Sequence, residues 1–170
     1  MERVRVLLIG AAFSADLHAD GYARIQDRAH IVAIVDKDLS RVKTLAERYG
    51  FTDYAAYTDY ETALNEVDCD VVDICLPNFL HKDAALAALA HGRHIISEKP
   101  LATTVEEAEE IMEAARRADR HVYYAEDWLG CPTIQKALSI IESGAIGELT
   151  FVQARECHCG SHSPFAQKLK

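Results

Sequence analysis

The chain is dominated by one repeating pattern: a short, β-branched apolar run, a turn, then a stretch with helical spacing, joined by short connections. Val4-Arg5-Val6-Leu7-Leu8-Ile9 ends at Gly10 and leads into a helix over residues 14–26. Ile31-Val32-Ala33-Ile34-Val35 ends at Asp36; Ser40 then caps a helix that stops at Gly50, and a short helix follows over residues 59–65. Val71-Val72-Asp73-Ile74-Cys75-Leu76 is closed by Pro77, and Asn78 caps a helix to residue 90. His94-Ile95-Ile96-Ser97 precedes two overlapping capping-box pairs, Thr103 with Glu106 and Thr104 with Glu107. Val105, Ala108, Ile111, Met112 and Ala115 then recur at helical spacing. Strands are expected over residues 121–125 and 149–154, with a helix between them opened by Pro132 and ended by Gly144. Runs apolar on both faces belong to parallel sheets covered on both sides. Alternation of strand and helix with right-handed crossovers therefore predicts an α/β fold, a doubly wound parallel sheet.

Composition limits what such a fold could serve. Hydrophobic residues make up 49% and charged residues 26%, enough apolar material for a real core in 170 residues. No apolar run approaches the ~18 residues that span a bilayer, and Met1-Glu2-Arg3 runs straight into the first strand without a cleavage site, so a cytoplasmic location is expected. The formal charge is −9 and the pI near 5.3, which supplies no positive field for nucleic acid or an anionic membrane. A small anionic cofactor stays compatible, because helix N-termini bind phosphates whatever the net charge. The five cysteines are odd in number and scattered, as free thiols in a reducing compartment are. Cys157-His158-Cys159 with His162 looks locally like a metal cluster, but Cys-x-Cys is tighter than zinc spacing and lacks a second pair, so no metal site is assigned.

In open α/β sheets, ligands sit beyond the carboxyl ends of the strands. After the first strand comes Gly10-Ala11-Ala12-Phe13-Ser14-Ala15, in the place of a Gly-x-Gly-x-x-Gly phosphate loop. Only the first glycine is kept; Ala12 stands where the backbone approaches a pyrophosphate, and Ser14 can donate to a phosphate in compensation. Asp36, about 20 residues on, is placed to accept ribose hydroxyls and to repel a 2′-phosphate, which favours NAD. Lys37 beside it weakens that preference and leaves NADP as the second candidate. Leu76-Pro77-Asn78 ends the third predicted strand and Glu98-Lys99-Pro100 the fourth. A lysine there can hydrogen-bond a substrate oxygen and stabilise charge that develops on it.

These motifs resemble the Gfo/Idh/MocA family, the glucose–fructose oxidoreductase and inositol dehydrogenase group. The resemblance rests on Asp73-Ile74-Cys75-Leu76-Pro77-Asn78 with His81, Gly92-Arg93-His94, Glu98-Lys99-Pro100-Leu101, the helix opening at Thr103, and the turn at Ser143-Gly144-Ala145-Ile146-Gly147. It implies a Rossmann NAD(P)-binding domain over residues 1–147, with residues 148–170 as the stub of a C-terminal substrate domain that is largely absent. It also implies Lys99 as the catalytic lysine, Glu98 beside the cofactor, and a cis peptide before Pro100. Phe13 would join the phosphate loop, while Leu76, Pro77, Asn78 and His81 would line the nicotinamide side. Where many members carry Asn-x-Arg, this chain has Asp127-Trp128-Leu129; Asp127 can replace the asparagine contact, and Leu129 loses the arginine.

The resemblance implies hydride transfer on a sugar, inositol or related polyol. The chain is then a cofactor-binding half, incompetent for turnover alone, with a homo-oligomer expected through the edge of residues 149–157. A stand-alone dinucleotide-binding module or sensor without turnover is the alternative.

Overall fold

The structure is a computed structural model, and it describes residues 2–155. The Cys157-His158-Cys159 group with His162 lies outside the described residues. The chain forms two compact units, Met1–Glu126 and Asp127–Lys170.

The first unit holds six strands: β1 (Val4–Ile9), β2 (Ala29–Val35), β3 (Ala55–Tyr57), β4 (Val71–Ile74), β5 (His94–Ser97) and β6 (Val122–Tyr124). Every pairing is parallel, in the order β3-β2-β1-β4-β5-β6. This is a doubly wound sheet whose order reverses between β1 and β4. Its helices are α1 (Phe13–Ala23), α2 (Leu39–Tyr49), α3 (Tyr60–Glu66), α4 (His81–Ala90) and α5 (Val105–Ala118).

Side-chain alternation along β1 splits the core in two. Leu7 and Ile9 join Val72, Ile74 and Ile111 on one face; Val6 and Leu8 join Ala15, Ala19 and Val42 on the other. On β4 the same alternation sends Val72 and Ile74 to the first face, and Cys75, just beyond the strand, falls on the second.

Four expectations need correction. β3 was not foreseen, because Ala55-Ala56-Tyr57 has no β-branched residue and is a strand only by pairing with β2. Residues 149–154 form no strand, despite a β-prone composition, since no ladder pairs with them; the edge expected there has no strand behind it. Asp38, not Ser40, caps α2, its carboxylate accepting the Ser40 N–H at 3.0 Å. Asn78 opens a 3-10 turn to Leu80, and Leu80 precedes α4 without a side-chain cap. Half of the second capping-box pair forms: Thr104 accepts from Glu107 N, but the Glu107 carboxylate reaches back past Thr104 to Thr103 N at 3.0 Å.

The second unit contains α6 (Asp127–Gly130) and α7 (Pro132–Glu142), with Pro132 in the first turn as the sequence suggests. Among the described residues, no helix is long and apolar enough to cross a membrane.

Candidate functional site

The sheet reverses its winding direction between β1 and β4, and there the Gly10 turn packs against the Cys75 backbone. Gly10 has φ +104, and a Cβ on it would lie 2.3 Å from the Cys75 carbonyl oxygen. Only glycine allows both that conformation and that approach. Gly10 N donates to Val35 O at 2.7 Å, so the turn after β1 is tied to the end of β2. Ala12, the residue preceding α1, has extended backbone (φ −101, ψ −155) that any residue adopts. The missing second glycine is therefore no strain on this loop.

Asp36 fixes the same turn from the β2 side. One carboxylate oxygen accepts the Ala11 N–H at 2.9 Å and the other the Asp38 N–H at 2.9 Å. Each oxygen has a further lone pair with which to accept a hydroxyl. A cleft of about 400 Å³ opens beside it, and Gly10, Ala12, Asp36, Lys37, Leu76 and Pro77 all line it. Arg41 also borders this cleft, a cation that the sequence reading did not single out. Phe13 borders a neighbouring groove of about 310 Å³ between α1 and α2.

Glu98-Lys99-Pro100 follows β5, and the Lys99–Pro100 peptide is cis. Glu98 N donates to Ile74 O at 3.0 Å, so the turn begins against the end of β4. The Glu98 side chain accepts the Lys99 N–H at 2.9 Å. His81 has no exposed surface and does not line the cleft as expected; its ring nitrogens lie 2.8 Å from Pro100 O and 2.8 Å from Leu76 O. It thereby holds the two loops that carry Pro77 and Lys99. Asn78 is exposed in the 3-10 turn, Ser14 lies against the Cys75 thiol, and Asp127 opens α6 in the second unit.

Sequence reasoning missed a buried network under this site. Asp73, in mid-strand and fully buried, accepts from Tyr22 Oη at 2.8 Å and faces His18 Nδ1 at 2.8 Å. His18 Nε2 reaches Glu98 Oε1 at 3.1 Å. Burial alone pulls the imidazole down, but hydrogen bonds and charge from Asp73, then Glu98, outweigh it and push His18 up to about 9. Burial, with the Asp73 charge adding to it, raises the Tyr22 hydroxyl and the Cys75 thiol above their ordinary ranges. His18, Asp73 and Cys75 come close enough to suggest a metal cluster, yet their donors and acceptors already face one another as hydrogen bonds. A signal was available: an aspartate in the middle of a doubly buried apolar run must find partners.

The residues suit a dinucleotide. The N-cap of α1 offers no side-chain acceptor to the first-turn amides, which leaves a helix N-terminus to face a pyrophosphate beside the Asp36 carboxylate.

Comparison with known proteins agrees with this geometry. Residues 4–126 match the family described as an oxidoreductase family with an NAD-binding Rossmann fold. The chain is 35% identical over 159 residues to D-glucoside 3-dehydrogenase of Escherichia coli K12, covering 92% of this chain and 44% of that protein. It is 38% identical over 119 residues to inositol 2-dehydrogenase of Arthrobacter sp. FB24, covering 68% of this chain and 34% of that one. A solved levoglucosan dehydrogenase in complex with NADH and levoglucosan superposes with a TM-score of 0.79 at 31% identity, covering 86% of this chain and 41% of that chain. The chain thus spans less than half the length of these relatives.

Proposed function

The chain belongs to the Gfo/Idh/MocA oxidoreductase family through an NAD-binding Rossmann domain, and from that premise we propose that it supplies the cofactor side of a dehydrogenase acting on a sugar, inositol or related polyol. The observation that carries this reading is the Asp36 carboxylate, fixed by two backbone amides at the rim of a cleft whose other wall is the Gly10 turn. The amides at the start of α1 hold the pyrophosphate, and Asp36 accepts the adenosine ribose hydroxyls. Lys37 and Arg41 place positive charge on the same rim and reduce the penalty that Asp36 imposes on a 2′-phosphate. Bound nicotinamide supplies the carbon that accepts or donates hydride. Lys99 donates a hydrogen bond from its ammonium to the substrate oxygen and stabilises the negative charge that develops there while the hydroxyl proton passes to a base on the substrate side. Glu98 and His81 keep that lysine's turn against the end of β4.

The relatives that act on D-glucosides, inositol and levoglucosan support a polyhydroxylated substrate. Amide chemical-shift mapping tests the placement of Lys99. NADH is expected to shift the amides of Gly10, Ser14 and Lys99. ADP-ribose, which lacks nicotinamide, is expected to shift the first two and leave Lys99 unmoved. A Lys99 amide indifferent to both ligands would overturn its assignment.

A further inference from the structure

Four groups form a continuous chain from the middle of the sheet to the Glu98-Lys99-Pro100 turn. Asp73 points to the α1 side of β4, where His18 Nδ1 lies 2.8 Å from one of its oxygens and 3.0 Å from the other. The opposite ring nitrogen of His18 lies 3.1 Å from Glu98 Oε1. The second Glu98 oxygen accepts the Lys99 backbone N–H. Both ring nitrogens face carboxylate oxygens, which only accept, so both carry protons. The His18 and Glu98 side chains are 16% and 14% exposed, which keeps water from replacing these bonds.

We propose that His18 is a positioning residue for Lys99: as an imidazolium clamped between Asp73 and Glu98, it orients the Glu98 carboxylate, which in turn orients the Lys99 main chain. The proposal rests on the reading of Lys99 as the group that meets the reacting oxygen. β4 contributes Asp73 and the Cys75 thiol, which donates to Asp73 at 3.8 Å. α1 contributes the Tyr22 hydroxyl, also donating to Asp73, and the turn after β5 contributes Glu98. Tyr22 and Cys75 are both pushed above their ordinary ranges, which leaves His18 as the member of this group that changes charge near pH 9. Loss of its proton removes one of the two donors, and the Glu98 carboxylate loses its bond to α1.

Nuclear magnetic resonance of the chain itself reads this without turnover. The His18 imidazole is expected to titrate near pH 9, and the Lys99 amide proton to move with the same midpoint. In His18→Gln the Lys99 step is expected to vanish. In Glu98→Gln, a near-isosteric change that removes the charge, the His18 midpoint is expected to drop by about one pH unit or more. A Lys99 amide that shows no step near pH 9, or the same step in His18→Gln, would overturn the proposal. If His18→Gln does not fold, an unchanged His18 midpoint in Glu98→Gln overturns it as well. An NADH titration of the same samples separates the two readings: failure of the unsubstituted chain to bind NADH removes the dehydrogenase reading and leaves the His18–Glu98–Lys99 coupling measured in its own right.

Discussion

A carboxylate buried in a parallel sheet costs several kcal/mol unless it is paired and hydrogen-bonded. Asp73 meets that demand through His18 and Tyr22, and the arrangement has a pH signature. His18 sits at about 9 in the fold against an ordinary value of 6.5. A group raised on folding stabilises fully below its unfolded value and loses that contribution as pH rises through its folded value. The His18 contribution is therefore complete below pH 6.5 and fades towards pH 9, by about 3 kcal/mol at most. Urea midpoints measured across that window are expected to fall for the unsubstituted chain, with the slope reduced in His18→Gln. Gly10 carries a different constraint. In Gly10→Ala the new methyl would lie 2.3 Å from the Cys75 carbonyl at a backbone angle that disfavours side chains. A loss of about 2 kcal/mol or more in urea unfolding is expected, with the cleft distorted beside it. Gly10 and Asp36 were legible in the sequence because their spacing belongs to one βαβ unit. The His18–Asp73 contact was not, since it joins residues 55 apart through space. His81 was legible as a residue but not in its role, because burial and carbonyl partners follow from packing.

Elements were legible where periodicity and caps agreed. α5 is an example: Ile111 and Ala115 are buried at i, i+4, and Thr104 caps the helix as the capping-box pattern implies. Ile111 has no exposed surface and packs with Leu7, Ile9, Val72 and Ile74 against the sheet. Ile111→Ala is expected to cost about 2–5 kcal/mol in denaturant unfolding, with an unchanged strand signal in circular dichroism below the transition. Where elements were misjudged, the deciding information was tertiary. Ala55-Ala56-Tyr57 has weak strand preference and is a strand because β2 offers an edge. Leu149-Thr150-Phe151-Val152 has strong preference and is none, because no ladder receives it. Strand propensity describes fitness for a sheet that must already exist.

At the scale of the whole molecule, the doubly wound parallel sheet was legible in the alternation of strands and helices, while the strand order comes from the structure and locates the candidate site. The reversal between β1 and β4 brings Gly10, Asp36 and Pro77 to one cleft although they are far apart in sequence. The net charge of −9 argues against polyanions, while Lys37 and Arg41 put local positive charge on the rim of the proposed cofactor cleft. Substrate choice was the least legible property, since the motifs read from the sequence were assigned to the cofactor. The central claim is that this cleft binds a nicotinamide dinucleotide through Asp36. Isothermal titration calorimetry of the chain with NADH and with NADPH tests it most directly. Saturable binding is expected for NADH, with weaker binding of NADPH, and Asp36→Ala is expected to weaken NADH about tenfold or more and to narrow the difference. A folded chain that shows no saturable binding of either dinucleotide, or one whose NADH affinity is unchanged by Asp36→Ala, would contradict the account.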